Sequence, residues 1–106
     1  MRKLLLLLML SFSVQAEYTK DDESICVAGR TAAGLIMHYR QQGESAQDLF
    51  DYFGSVDVPK SVKSIYIKLV EQAYKLPKVS NLEYKEMAIS QFEERTYALC
   101  KEQRSK

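Results

Sequence analysis

The chain contains few of the side chains on which catalysis and metal binding usually depend. It has one histidine, His38, two cysteines and no tryptophan among its 106 residues. Metal sites usually combine several histidine, cysteine or carboxylate ligands, which a single histidine cannot supply. Nucleophilic catalysis needs a serine, cysteine or threonine held against a base, and His38 lies about three helical turns from Cys26. The sequence therefore predicts a non-enzymatic protein with no catalytic residue, metal or cofactor.

Catalysis by carboxylates alone is the enzymatic alternative, in the form of a small hydrolase. Four acidic residues could meet in the folded chain: Asp48, Asp51, Asp57 and Glu71. No spacing selects a pair among them. The 4 glycines are scattered and form no phosphate-binding loop. An enzyme is therefore the disfavoured interpretation.

A long apolar run occurs at the amino end, where Leu4–Val14 follow Arg2 and Lys3. This run of about 11 residues is shorter than the roughly 20 that a membrane-spanning helix needs. Small residues end it at Ala16, and polar residues follow at once, which disfavours a short membrane anchor. We therefore expect a cleaved signal peptide over residues 1–16 and a single domain over residues 17–106. The protein would be periplasmic or secreted, with no stable membrane insertion after cleavage.

Positive charge is not in excess. The chain carries 15 lysines and arginines against 14 acidic residues, and without Arg2 and Lys3 the balance is 13 against 14. Nucleic-acid binding depends on clustered positive charge, so no nucleic-acid partner is expected. A domain of about 90 residues also has a small core, which a covalent cross-link often supports.

Both cysteines, Cys26 and Cys100, fall in the predicted mature part. An even pair in an oxidising compartment usually forms a disulfide. The alternative, a redox or metal pair, favours a Cys-x-x-Cys spacing or neighbouring histidines, which are missing. A Cys26–Cys100 bond closes a loop across most of the domain, and the chain-entropy model assigns such a closure about 4.5 kcal/mol.

The predicted fold is all-α, a small bundle of about four helices in the order long, short, long, long, because strand and hairpin signals are missing. The first helix is expected from about Lys20 to Gln42, with Thr19 and Asp22 as its cap and Gly43 as its stop. Its predicted inner face contains Ile25, Ala28, Gly29, Ala32, Ala33, Leu35, Ile36 and Tyr39. Its predicted polar face contains Arg30, Thr31, Gly34, His38 and Gln41.

Arg40 lies on the apolar side of this helix, where it would run its stem along the core and reach water, or pair with a carboxylate. The short second helix is expected to start at the cap Ser45 and to end at Gly54. Its apolar residues predict a plug over one end of the bundle, with an aromatic docking patch as the alternative. These residues are Leu49, Phe50, Tyr52 and Phe53.

The third helix is expected to open at Asp57-Val58-Pro59 and to end because of Pro77. Its inner stripe is predicted to contain Val62, Ile65, Tyr66, Leu69, Val70 and Ala73. Its outer side carries Lys60, Lys63, Lys68 and Lys75. Ile67 and Tyr74 lie off the stripe, and they either cover the second helix or remain exposed for a partner.

For the fourth helix we expect a capping box of Ser80 and Glu83, with Val79 and Tyr84 as a hydrophobic staple, and an end near Gln103. Its inner side is predicted to contain Leu82, Ala88, Ile89, Phe92, Thr96, Leu99 and Cys100. Lys85 and Arg95 have no clear place in this pattern. A Cys26–Cys100 bond requires the first and last helices to be antiparallel neighbours.

Several short motifs occur in a fixed order: Cys26, Arg40-Gln41-Gln42-Gly43, Ala73-Tyr74-Lys75-Leu76-Pro77, Ala88-Ile89, Phe92 and Cys100. This order resembles a group of short exported bacterial and phage-associated helical proteins. The resemblance covers most of the mature chain and implies a signal peptide, an all-α domain and one disulfide, but no activity. Size and architecture are also similar to periplasmic acid-stress chaperones of the HdeA type and to periplasmic immunity proteins that block secreted toxins.

The function expected from the sequence is binding to another protein of the cell envelope. Seven tyrosines in a small domain are well suited to contact surfaces. The candidate surface contains Tyr52, Phe53, Lys60, Lys63, Ile67 and Tyr74. A stress chaperone or an immunity protein is the alternative.

Overall fold

The computed structural model describes residues 17–105, in which all regular secondary structure is helical. The four helices are α1 (Lys20–Gln42), α2 (Ala46–Ser55), α3 (Lys60–Tyr74) and α4 (Leu82–Arg104). Their lengths confirm the predicted all-α order of long, short, long, long. The signal peptide predicted over residues 1–16 lies outside the described residues.

Local signals determine both ends of α1. The Thr19 hydroxyl accepts a hydrogen bond from the Asp22 N–H at 3.1 Å, and Asp22 Oδ2 accepts one from the Thr19 N–H at 2.9 Å. Gly43 ends the helix with a φ of 95°, in the left-handed region that favours glycine. The predicted start and stop are both confirmed.

The ends of α2 and α3 differ slightly from expectation. Ser45 caps α2 as predicted, because its hydroxyl accepts from the Asp48 N–H at 3.1 Å, and the helix continues one residue past Gly54. Pro59 precedes α3, which has no side-chain cap. This helix ends at Tyr74, and Pro77 prevents its continuation because helical conformation is disfavoured at Leu76, the residue before the proline.

The predicted cap of α4 is wrong by one residue. The side chain of Asn81 accepts hydrogen bonds from the N–H groups of Glu83 and Tyr84, at 2.8 and 3.3 Å, so Asn81 rather than Ser80 is the cap. Asparagine and serine are equally good caps, so their preference does not distinguish the two adjacent positions. With the cap moved, Val79 and Tyr84 no longer occupy the two positions of a hydrophobic staple.

Helix α1 is the central element of the fold. It packs most extensively on α4 and also on α3, while α2 packs on α3. Cys26 bonds to Cys100 and Asp22 contacts Arg104 at one end, so α1 and α4 run antiparallel, as predicted. The buried apolar cluster contains Ala33, Ile36, Met37, Leu49, Phe53, Leu69, Val70, Ala73 and Phe92.

The two-sided packing of α1 corrects the predicted faces of that helix. Gly34 and Gln41 were expected on the polar face, but both are buried. Ile25 and Leu35 were expected inside, but both are exposed. Because α1 packs on both α3 and α4 and its last turn also contacts the loop between them, its buried surface is wider than one apolar stripe. His38 is exposed, as predicted.

The inner faces of α3 and α4 also needed correction. Ile65 on α3 is exposed, although it lies on the predicted stripe. On α4, Leu82 and Leu99 are exposed, and Phe92 is the one buried residue of the helix. Helix α4 packs mainly on α1 and has little contact with the other helices, so much of its surface stays open.

Candidate interaction surface

The residues predicted for partner binding fall into different environments. Tyr52 is exposed, but Phe53 is only 5% exposed and belongs to the core, which removes it from any contact surface. Its ring centroid lies 5.0 Å from that of Tyr66 on α3. Leu49 is buried as well, so the interpretation of α2 as a packed element is favoured over a docking patch.

The remaining predicted surface residues are divided between two places. Tyr74 is half-buried, its hydroxyl donates to the Glu44 carbonyl at 2.5 Å, and the Arg40 guanidinium lies 4.9 Å from its ring centroid. Lys60, Lys63 and Ile67 line one shallow depression on the outer side of α3. Lys63 Nζ donates to the Gly54 carbonyl at 3.0 Å, which ties α3 to the end of α2. The structure thus groups three of the six predicted residues.

A second, more apolar concavity lies between the α3–α4 loop and one side of α4. We call it the α4 cleft; it has a volume of about 350 Å³. Its lining residues are Leu76, Pro77, Val79, Tyr84, Met87, Ala88, Gln91, Phe92 and Arg95. Leu76, Ala88 and Phe92 also pack in the core, so the floor of the cleft is the edge of the core itself.

The rim of the α4 cleft combines exposed apolar and unpaired polar groups. Tyr84 and Met87 are 59% and 46% exposed. Within residues 17–105, the Tyr84 hydroxyl, the Gln91 amide and the Arg95 guanidinium form no hydrogen bond or ion pair. Arg95 is the one charged residue that lines the cleft. Such a rim can bind both apolar groups and a hydrogen-bonding or negatively charged group.

The loop wall of the cleft is anchored by the end of α1. Arg40 donates from Nε and Nη2 to the Leu76 carbonyl at 3.3 and 3.1 Å. This finding corrects the expectation that Arg40 would reach water or a carboxylate. The neighbouring Gln41 also binds the loop backbone at Pro77 and Val79, so the loop wall is pre-formed.

A polar network surrounds the disulfide end of the bundle. Glu23 on α1 accepts hydrogen bonds from the Tyr18 and Tyr97 hydroxyls at 2.6 and 2.5 Å. Lys101 Nζ lies 5.6 Å from the Tyr18 ring centroid and 5.3 Å from that of Tyr97. These hydroxyls hold the pKa of Glu23 below its ordinary value. Partial burial and the bond to Glu23 raise the pKa of Tyr18 to about 12.

Two ion pairs extend this network along the α1–α4 contact. Arg104 Nε donates to Asp22 Oδ1 at 2.8 Å, and Arg30 Nη1 lies 3.8 Å from Glu94 Oε1. The pKa of Asp22 is lowered by the Thr19 backbone N–H and then by Arg104. The Asp22–Arg104 pair therefore joins the last turn of α4 to the first turn of α1.

Sequence reasoning missed the α4 cleft because Tyr84 and Met87 lie off the predicted inner stripe. The sequence did contain a signal, because the apolar residues of α4 are spread over several sides of the helix. One neighbouring helix cannot cover all of them. Arg95, for which the helical pattern had no place, is part of the same surface. Helical geometry places Tyr84, Ala88, Gln91 and Arg95 in one row.

The described part of the chain shows neither a metal-binding cluster nor a membrane-spanning helix. Among residues 17–105, no group of three or more His, Cys, Asp or Glu side chains is arranged to hold a metal ion. None of the helices in that part of the chain combines the length and hydropathy required to cross a membrane. Comparisons of the chain with protein-family models, with curated proteins and with solved structures find no match.

Proposed function

We propose that the protein is exported and binds another protein of the cell envelope, without catalysing a reaction. The observation that carries this proposal is the open apolar surface of α4. Tyr84 and Met87, in the first turns of the helix, are exposed and line the rim of a cleft whose floor is the core. Contiguous exposed apolar surface rimmed by polar groups is typical of protein-binding sites.

The disulfide supports the compartment in this proposal. Cys26 and Cys100 are bonded, and residues 17–105 contain no free cysteine. Structural disulfides form and persist in oxidising compartments and are rare in the cytosol. A full-length chain expressed in a bacterial host should therefore yield a periplasmic product that starts near residue 17, with both sulfurs oxidised. Recovery of an uncleaved, reduced product would contradict export.

A crosslinking capture from an envelope fraction tests the binding function. The mature protein is incubated with envelope and with cytosolic extract, crosslinked, purified and analysed by mass spectrometry. We expect at least one protein enriched from the envelope over an unrelated helical domain of similar size and charge. Recovery of nothing above that control would contradict the proposal.

A stress chaperone is a second candidate, favoured by the charged network at the disulfide end. Asp22 and Glu23 hold the end of α4 as carboxylates, so acid weakens this attachment and favours exposure of the core. A chaperone of this type suppresses the aggregation of client proteins at about pH 3, below the ordinary pKa values of both carboxyls. A light-scattering assay with an acid-labile client checks this expectation. A protein that stays folded and leaves aggregation unchanged would eliminate the candidate.

A further inference from the structure

The side of α4 that faces the α4 cleft has the geometry of a groove for a second helix. Its lining residues follow the spacing i, i+3, i+4, i+7, i+8 and i+11 from Tyr84 to Arg95. At 1.5 Å per residue this row is about 16 Å long, which matches about three turns of helix. Ala88 and Phe92 in this row pack on the core, whereas the side chains that flank them, Tyr84, Met87, Gln91 and Arg95, stay exposed among residues 17–105.

The floor and the rim of the groove specify the apolar part of its occupant. Ala88 is the one small side chain in the row, and it leaves room beside Phe92, Leu76 and Pro77. A large apolar side chain inserted there would contact the core directly and bury the exposed part of Met87. Helix-in-groove complexes use apolar anchors of this kind at helical spacing.

Arg95 specifies the charge of the occupant. It is the one charged residue that lines the cleft, and it has no ion-pair or hydrogen-bond partner within residues 17–105. By contrast, Arg30, Arg40 and Arg104 all have partners. A carboxylate near one end of a docked helix would pair with Arg95 in a charge-assisted, bidentate geometry.

We infer that the α4 cleft binds an acidic amphipathic helix of a partner protein, with an apolar anchor beside Ala88 and a carboxylate on Arg95. This inference rests on the proposed binding function and names the surface and the chemistry of the partner. It also replaces the surface around α2 and α3 that the sequence had favoured.

A peptide selection tests the inference without knowledge of the natural partner. A displayed library of helical peptides about three turns long is selected on the mature protein, and binding of the recovered peptides is measured by fluorescence anisotropy. We expect an aspartate or glutamate at a fixed helical distance from a leucine, phenylalanine or tryptophan. Met87→Glu should weaken binding by about tenfold or more, as expected for a central interface position. The matched control is Leu35→Glu, a similarly exposed apolar residue on α1 that does not line the cleft, and it should leave affinity unchanged.

A charge exchange tests the role of Arg95. Arg95→Gln should lower the affinity for the selected peptides by up to about fivefold, which is the range expected for an exposed ion pair. Arg95→Glu should reverse the preference, so that a peptide with lysine in place of its acidic residue binds better than the parent. Lys68→Glu on α3 is the control for net charge. If the wild type and Arg95→Glu show the same relative affinity for the acidic peptide and its lysine variant, Arg95 does not pair with the acidic residue and the assignment is overturned.

Three further outcomes would also overturn the inference. The first is recovery of peptides that bind Met87→Glu as well as the wild type. The second is failure of the selection to enrich any peptide. The third is concentration-dependent dimerisation, measured by sedimentation, that Met87→Glu abolishes, because the occupant would then be a second copy of this chain.

The envelope capture separates this inference from the proposed function. If Met87→Glu still captures the same envelope protein, binding stands and the α4 cleft is the wrong surface. If peptides bind the cleft with the expected charge preference but no envelope protein is captured, the chemistry of the cleft stands and the proposed function fails.

Discussion

The buried side chain of Gln41 accepts a hydrogen bond from the backbone N–H of Val79 at 2.9 Å. The same side chain donates from Nε2 to the Pro77 carbonyl at 3.1 Å, so both ends of the amide bind the α3–α4 loop. Gln41 is 1% exposed and is the one buried polar residue among those described. One side chain of α1 therefore supports the loop that forms a wall of the α4 cleft.

Replacement of Gln41 by leucine should destabilise the fold although it removes a buried polar group. Leucine has a similar volume, but it leaves the Pro77 carbonyl and the Val79 N–H without partners. Partly buried unpaired groups cost about 1–2 kcal/mol in the free energy of unfolding. Urea unfolding followed by circular dichroism measures this loss. Gln42→Leu is the matched control, because Gln42 is exposed; equal stability of the two variants would contradict the role of Gln41.

The Cys26–Cys100 bond should provide much of the stability of the domain. It joins residues separated by 74 positions, and the chain-entropy model assigns such a cross-link about 4.5 kcal/mol. The Cys26→Ser, Cys100→Ser double variant should therefore unfold at a much lower urea concentration than the oxidised protein. Reduced wild type serves as the control and should match the variant. A urea midpoint that does not respond to reductant would show that the cross-link adds little.

The helix ends could be predicted because capping signals are local in the sequence. The disulfide could be predicted because the chain has only two cysteines to pair. Thr19 with Asp22 and the left-handed Gly43 define α1 almost without reference to the rest of the fold. Two cysteines allow only one intramolecular pairing. Where two capping residues stand side by side, as at Ser80 and Asn81, spacing alone cannot choose between them.

The burial of Gln41 and the α4 cleft could not be predicted in the same way. A helical wheel assigns one inner face to each helix, whereas α1 packs on two helices, α3 and α4. Gln41 becomes buried because a loop more than thirty residues away packs back on it. The cleft likewise depends on which side of α4 the other helices leave open.

Two glycines of α1 should respond differently to alanine. A Cβ added at Gly29 meets nothing within 4 Å, so Gly29→Ala should stabilise the helix by about 1 kcal/mol through helix propensity. A Cβ at Gly34 would collide with the Glu93 carboxyl group, which must then move. Gly34→Ala should therefore stabilise the protein less than Gly29→Ala does, or destabilise it.

A double-mutant cycle isolates this contact. In a Glu93→Ala background the obstacle is gone, and Gly34→Ala should then stabilise the protein about as much as Gly29→Ala does. Thermal unfolding of the single and double variants measures the coupling. Additive effects of the two substitutions would show that Glu93 does not lie over Gly34 in solution.

Stability should fall in acid because of Asp22 and Glu23. Folding lowers the pKa of both carboxyls, so at acidic pH the unfolded chain binds more protons than the folded one. The resulting stabilisation is present above the unfolded pKa values, about 3.9 and 4.3, and is lost as the pH falls through the lower folded values. Urea midpoints measured from about pH 6 downwards should decrease, and the Asp22→Asn, Glu23→Gln double variant should show a flatter profile. Glu86→Gln, an exposed substitution on α4, is the control. If the urea midpoint of the double variant falls with pH as steeply as that of the wild type, other groups cause the loss of stability in acid.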